Sequence, residues 1–115
     1  MTSEEVAQNA MQIILHAGEA RKYCMDALKD IEKGDFDGAK DKMKLANAEI
    51  VKSHRVQTNS IQKETQGEKG EYSVLFAHAQ DTLMTVYSEI NLAKRLIDIF
   101  ESFHQRLTQL EMTNK

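Results

Sequence analysis

Tyr72-Ser73-Val74-Leu75-Phe76-Ala77-His78-Ala79-Gln80-Asp81-Thr82-Leu83-Met84-Thr85 opens the longest helical pattern in the chain. From Phe76 the apolar residues continue as Ala79, Leu83, Val86, Ile90, Ala93, Ile97 and Phe100, at spacings that alternate between three and four. Such alternation keeps one stripe on one side of a helix, as in the seam of a bundle or coiled coil. His78 and Asp81 lie three residues apart, one helical turn, and so share a face. Neither is on the seam. With Phe76 at heptad position a, His78 falls at c and Asp81 at f, so in an isolated chain both point away from the core. The plainest reading of such a pair is a solvated polar face.

Outward from this stretch the chain divides into helices. Ser73 caps the third, which is expected to span about 73–110. Before it, Gln66-Gly67-Glu68-Lys69-Gly70 carries two glycines and reads as a flexible loop. Asp35 caps a second helix of about 36–65, with Phe36, Ala39, Met43, Ala46, Ile50, Val51, His54 and Ile61 on its buried side. Thr2-Ser3-Glu4-Glu5 reads as a capping box at the start of a first helix of about 3–32. That helix buries Val6, Ala10, Ile13, Ile14, Ala17, Cys24, Ala27, Leu28 and Ile31, and Lys33 and Gly34 stop it. The turn that follows is so short that the first two helices must be antiparallel neighbours. The expected architecture is all-α, an antiparallel three-helix bundle forming a single domain over residues 1–115, with a frayed tail from Glu111 to Lys115.

The third helix has more apolar surface than one seam requires: Met84, Leu92, Leu96, Ile99 and Phe103 lie off it. Exposed on a small domain, such a patch predicts self-association, which would bring Asp81 near a symmetry axis.

Composition narrows the function. The chain has 115 residues, 41% hydrophobic and 29% charged, no proline and five glycines, a balance that suits a soluble helical protein. Its net charge is −3, with lysines scattered among acids, which excludes the basic stripe of a nucleic-acid binder. No apolar run approaches a membrane span and Met1-Thr2-Ser3-Glu4-Glu5 is not a secretory signal, so a cytoplasmic location is expected. The lone Cys24 forms no internal disulfide and reads as a buried, inert thiol.

Among His16, His54, His78 and His104 no two stand four residues apart, so no helical metal clip is present, and His54 reads as a partly buried, satisfied imidazole. Nor is there a nucleophile elbow, a glycine-rich phosphate loop or a paired-carboxylate motif. What remains is a histidine nucleophile, because a neutral imidazole nitrogen can accept a phosphoryl group and return it.

Tyr72-Ser73-Val74, His78-Ala79-Gln80-Asp81 and Leu83-Met84-Thr85 resemble the active-site helix of the lactose/cellobiose-type enzyme IIA of the bacterial phosphoenolpyruvate-dependent sugar phosphotransferase system. Ala17-Gly18 with Ala20-Arg21, Gly34-Asp35-Phe36, and His54 with Gln57-Thr58 are similar to further motifs of that family, and the resemblance spans about residues 5–107. Many members carry a second histidine directly after the aspartate, where this chain has Thr82, so no auxiliary role for that histidine carries over. The resemblance implies that His78 accepts a phosphoryl group from the phosphohistidine of HPr and passes it to a cysteine of enzyme IIB, alongside a membrane enzyme IIC, in the uptake of a β-linked disaccharide. Cellobiose or chitobiose is favoured over lactose. The resemblance also implies a homotrimer in which Asp81 and its copies meet around a divalent metal ion at the axis, and an all-oxygen set favours a hard ion such as magnesium. Two other readings stand beside it. One is a histidine phosphotransfer domain of a two-component relay, although the His-x-x-Lys-Gly pattern is absent. The other is a helical adaptor without catalysis.

Overall fold

A computed structural model describes residues 1–67 and 72–114; Glu68, Lys69 and Gly70 of the expected loop lie outside the described residues. Among the described residues three helices make up the fold: α1 (Ser3–Glu32), α2 (Phe36–Thr65) and α3 (Val74–Thr113). Each start follows from its cap. Thr2 Oγ1 accepts from the Glu5 amide (3.1 Å) while the Thr2 amide donates to Glu5 Oε2 (3.4 Å), closing the capping box. Asp35 Oδ1 accepts from the Gly38 amide (2.9 Å), and Ser73 Oγ from the Phe76 amide (3.1 Å). Gly38 has to be bare for its cap to close, since a Cβ there would collide with the Asp35 carboxyl group. At the end of α1 the amides of Lys33 and Gly34 donate to the carbonyls of Asp30 and Ile31. Gly34 then takes a φ of 79°, a left-handed turn that glycine adopts without strain and that reverses the chain directly into α2.

Pairings across the helices give their directions. Val6 and Asn9 line one cavity with Phe76 and Ala77, and further along Arg21 meets Glu89, so α3 runs parallel to α1. Phe36 faces His104, Lys40 binds Glu101 and His54 meets Tyr87, so α2 and α3 run in opposite senses. Between them lies a core rich in alanine (Ala10, Ala17, Ala20, Ala27, Ala46, Ala79), filled out by Ile13, Ile50, Leu83, Val86, Ile90 and Ile97. Small residues let the axes approach closely, and each large aliphatic side chain taken out of water contributes about 1.5–3 kcal/mol.

The seam of α3 holds from Ala79 to Ile97, with Phe76 packed against it, but Phe100, expected in the core, is 49% exposed. Parallel pairing of α1 with α3 explains this, because the register that sets Arg21 against Glu89 brings Phe100 level with Glu32, the last residue of α1. On α2, Val51 and Ile61 were expected inside and are 44% and 41% exposed. Ser53 and Ser60 take the inward positions instead, because their hydroxyls find partners there. Ser53 Oγ donates to the Ile13 carbonyl (2.9 Å), and Ser60 Oγ donates to the Val56 carbonyl (3.0 Å) while accepting from Asn9 Nδ2 (3.0 Å). Buried Asp30 is paired with Lys42, whose Nζ stands 2.7 Å from Oδ2. Hydrogen bonding to Asp30 raises the Lys42 ammonium above its ordinary value.

The end of the third helix is also corrected. α3 stays helical to Thr113 and is capped by Asn114, beyond the 110 read from the sequence. Because α3 has 40 residues where α1 and α2 have 30 each, it overruns them, and every described residue from Gln105 to Asn114 is exposed. The apolar surplus is real in the single chain: Leu92 is 63% exposed, and Met84, Ile99, Phe103, Leu107 and Leu110 are also open, whereas Leu96 is half-buried. Among the described residues no helix is long and apolar enough to cross a membrane.

Candidate active site

The N-terminal turns of α3 combine the features a reactive histidine needs. Ser73 fixes the start of the helix, and His78 lies on its second turn with its side chain in solvent. Helical side chains lean toward the N-terminus, which sets His78 over Val74 and Leu75. Those two residues, 74% and 37% exposed, give it an apolar rim. The first turn of α3 carries no acidic residue, unlike that of α1 with Glu4 and Glu5 or of α2 with Asp37. No acid of that turn therefore offsets the positive end of the helix dipole, a field that favours an arriving anion.

The four histidines divide sharply. The His16 ring binds Glu49 across α1 and α2, Nδ1 to Oε2 at 2.7 Å; a carboxylate only accepts, so Nδ1 carries the proton. The His54 ring meets Tyr87 edge-on at 5.4 Å, a ring contact where the sequence suggested a satisfied imidazole. His104 lies against Phe36 with centroids 5.2 Å apart. Among the described residues, His78 is the histidine whose ring has no such partner. Asp81, one turn on, is likewise exposed and without an ion pair. The backbone at this turn does have a side-chain contact: Thr82 Oγ1 donates to the His78 carbonyl at 2.9 Å.

Gln80 takes no part in this face, since residues two apart on a helix point to different sides. It lines a cavity of about 180 Å³ with Asn9, Ser60, Ile61 and Phe76. Cys24 is 3% exposed, and burial foremost, with Glu89 second, pushes its thiol above the ordinary value, so it is no competitor as nucleophile. Among the described residues no three His, Cys, Asp or Glu side chains gather closely enough to hold a metal ion, and at Asp81 a single chain offers a cation one carboxylate.

An exposed neutral imidazole with no internal partner can act as a nucleophile toward a group brought to it. The three occupied histidines are a feature the sequence did not disclose, because each partner comes from another helix.

Known proteins are similar to this chain in sequence and fold. The family described as "PTS system, Lactose/Cellobiose specific IIA subunit" matches residues 8–101. The lichenan-specific phosphotransferase enzyme IIA component of Bacillus subtilis (strain 168) is 38% identical over 104 residues, covering 90% of this chain and 94% of that protein. The crystal structure of the cellobiose-specific enzyme IIA from Bacillus anthracis superposes with a TM-score of 0.84 at 38% identity, covering 91% of this chain and 94% of the other. The IIA(chitobiose) subunit of Escherichia coli, solved in complex with HPr, gives 0.76 at 31% identity, with 86% of this chain and 96% of the other covered.

Proposed function

The chain belongs to the lactose/cellobiose-specific IIA family of the phosphotransferase system, and from that premise we propose that His78 accepts a phosphoryl group from the phosphohistidine of HPr and passes it to a cysteine of the cognate enzyme IIB. Carrying this assignment is the observation that His78 alone of the four histidines has a ring without a partner among the described residues. The solved complex of a IIA(chitobiose) subunit with HPr supports the choice of donor. Catalysis in such a transfer is mostly positioning and charge stabilisation around an in-line displacement. On this chain an open imidazole is the nucleophile, a first turn of α3 without acids favours the incoming phosphoryl charge, and the apolar rim of Val74 and Leu75 gives the donor a surface to meet.

The sugar read here is a β-linked disaccharide, cellobiose or chitobiose ahead of lactose, taken up by a membrane enzyme IIC while this subunit works in the cytoplasm. Relatives named for lichenan, cellobiose and chitobiose fit a β-linked sugar, as do lactose-specific relatives at 36% and 37% identity, and the order among the sugars is our reading of the sequence. The assembly read here is a homotrimer built on the open apolar side of α3. Three copies of Asp81 at its axis would supply carboxylate oxygens to a hard divalent ion such as magnesium, which would relieve their mutual repulsion.

The test is incubation with enzyme I, HPr and phosphoenolpyruvate, followed by intact-mass measurement and peptide mapping. One phosphoryl group per chain, mapped to His78, is the expected result. A group mapped to any other residue, or none at all, overturns the assignment. Offering the phosphorylated chain to enzyme IIB subunits of different sugar specificity then identifies the branch.

A further inference from the structure

Between α2 and α3, well along the bundle from His78, lies an open groove of about 480 Å³. Lys44 and Asn47 line it from one helix and Lys94 and Asp98 from the other, over a floor of Met43 and Ile97. The floor residues are 6% and 3% exposed, so the bottom of the groove is closed core. Two contacts across the helices bound it. Lys40 binds Glu101 on one side, Nζ to Oε2 at 2.8 Å, and His54 meets Tyr87 on the other. Those two pairs fix the antiparallel register, which sets Asn47 opposite Lys94 and Lys44 close to the level of Asp98. Glu101 occupies Lys40, but the Lys44 and Lys94 ammonium groups and the Asn47 amide have no ion pair or hydrogen bond among the described residues.

An apolar floor with a few convergent polar groups is the usual form of a small-molecule site, and the volume lies within the range of roughly 300–1,000 Å³ such sites have. The cavity beside Gln80, at about 180 Å³, is smaller than that range. Two ammonium groups across a gap, with three N–H donors each, fit the oxygens of a phosphate. A bare anion, or an acidic segment of a protein, would meet the Asp98 carboxylate as a like charge. A hydroxyl group carried beside the phosphate removes that conflict, because it donates to Asp98 and accepts from Asn47. The floor then lies under the C–H face of a sugar ring.

We propose that this groove binds a phosphorylated sugar, with the phosphate between Lys44 and Lys94 and a sugar hydroxyl on Asp98; that the ligand is the phosphorylated disaccharide made by the transport reaction rests on the carrier reading of His78. From His78 to Lys94 is roughly 24 Å along α3 at 1.5 Å per residue, so the bound molecule does not meet the reacting imidazole. It ties α2 to α3 and reports accumulated product to the subunit that supplies its phosphoryl group.

The test is titration of the full chain with phosphorylated cellobiose, read by backbone amide NMR and by melting temperature, with cellobiose alone and inorganic phosphate alone run beside it. Phosphorylated cellobiose should shift the amides of Lys44, Asn47, Lys94 and Asp98 and raise the melting temperature, since a ligand of the folded state stabilises it. The two reference compounds should bind about ten-fold more weakly or worse. Lys44→Gln and Lys94→Gln should each weaken binding about ten-fold, the effect of one hydrogen bond from a charged group. Lys22→Gln, which changes an exposed lysine of α1, should leave it as it was. No binding at millimolar ligand, shifts centred on His78 in place of Lys94, or an equal loss in Lys22→Gln overturns the inference. Inorganic phosphate binding as tightly as the phosphorylated sugar means an adventitious ion only and overturns it too. Phosphorylation by HPr is scored separately. A groove that binds on a chain never phosphorylated at His78 stands as a sugar-phosphate site while the carrier assignment falls, and phosphorylation without groove binding does the reverse.

Discussion

Between α1 and α2, polar side chains reach across and find partners: Ser53 to the Ile13 carbonyl, Asn9 to Ser60, His16 to Glu49 and Lys42 to Asp30. On the outward side of α3, His78 and Asp81 are unpaired among the described residues, and the apolar Leu92, Ile99 and Phe103 stand in solvent. α3 is joined to its neighbours mainly by the core seam, with exposed ion pairs such as Arg21 with Glu89 at its edges, and pairs of that kind add little. One region pairs these polar groups and closes. The other leaves its reactive and sticky groups open, and openness of that kind is what a surface that meets partners requires.

The division is tested most severely at the histidines. His78→Ala should abolish phosphorylation by HPr while helicity and thermal stability stay near wild type, as measured by intact mass and circular dichroism. His54→Ala, which removes a ring packed on Tyr87, should still be phosphorylated and should melt lower. The reverse pattern would break the contrast between a closed region and an open one.

Next in size is the core. Ile90 is 1% exposed in the seam of α3, so Ile90→Ala should cost about 2–5 kcal/mol in chemical denaturation. His78 should remain phosphorylatable at temperatures where the variant is folded. Asp81→Leu is smaller and of opposite sign. If three copies crowd at an axis, replacing them by leucine should preserve the trimer in sedimentation and raise its melting temperature by roughly 5 °C in metal-free buffer. A wild-type monomer, or a wild type that melts above the variant without added metal, would dissolve the axial reading and leave His78 untouched.

The smallest effect belongs to the closed region. Hydrogen bonding from His16 first, and from Lys52 next, holds the Glu49 carboxyl below its ordinary value. A depressed acid stabilises the fold at pH above the unfolded-state value, and that contribution is lost as pH falls through the folded-state value. Glu49→Gln should therefore cost about 0.5 kcal/mol near neutrality and nothing once the pH lies below the folded-state value. Urea midpoints measured across that range would show a flatter acid limb in the variant.

How far the sequence carried depended on what each feature needs. Caps at Thr2, Asp35 and Ser73 were legible because a cap is a local affair of three or four residues. The α3 seam was legible from Ala79 to Ile97 because a core stripe obeys helical spacing. Phe100 was misplaced because burial also depends on where a different helix stops. Ser53 and Ser60 were missed in favour of Val51 and Ile61 because hydropathy does not register a hydroxyl whose partner lies on another turn or another helix. At the site, His78 with Asp81 was legible as a spacing. The occupation of His16, His54 and His104 was not, because it needs the packed helices.

The overrun of α3 has a consequence for kinetics. From Gln105 to Asn114 the helix has no neighbour in its own chain, and a helix that short does not persist alone in water. In a dilute solution of separate chains its amides would exchange with solvent at close to the rate of an unfolded peptide, while those beside Ile90 exchange only on global opening. If copies meet along α3 as proposed, protection would spread into these last turns, and the end of the helix would act as a gauge of how many chains are present.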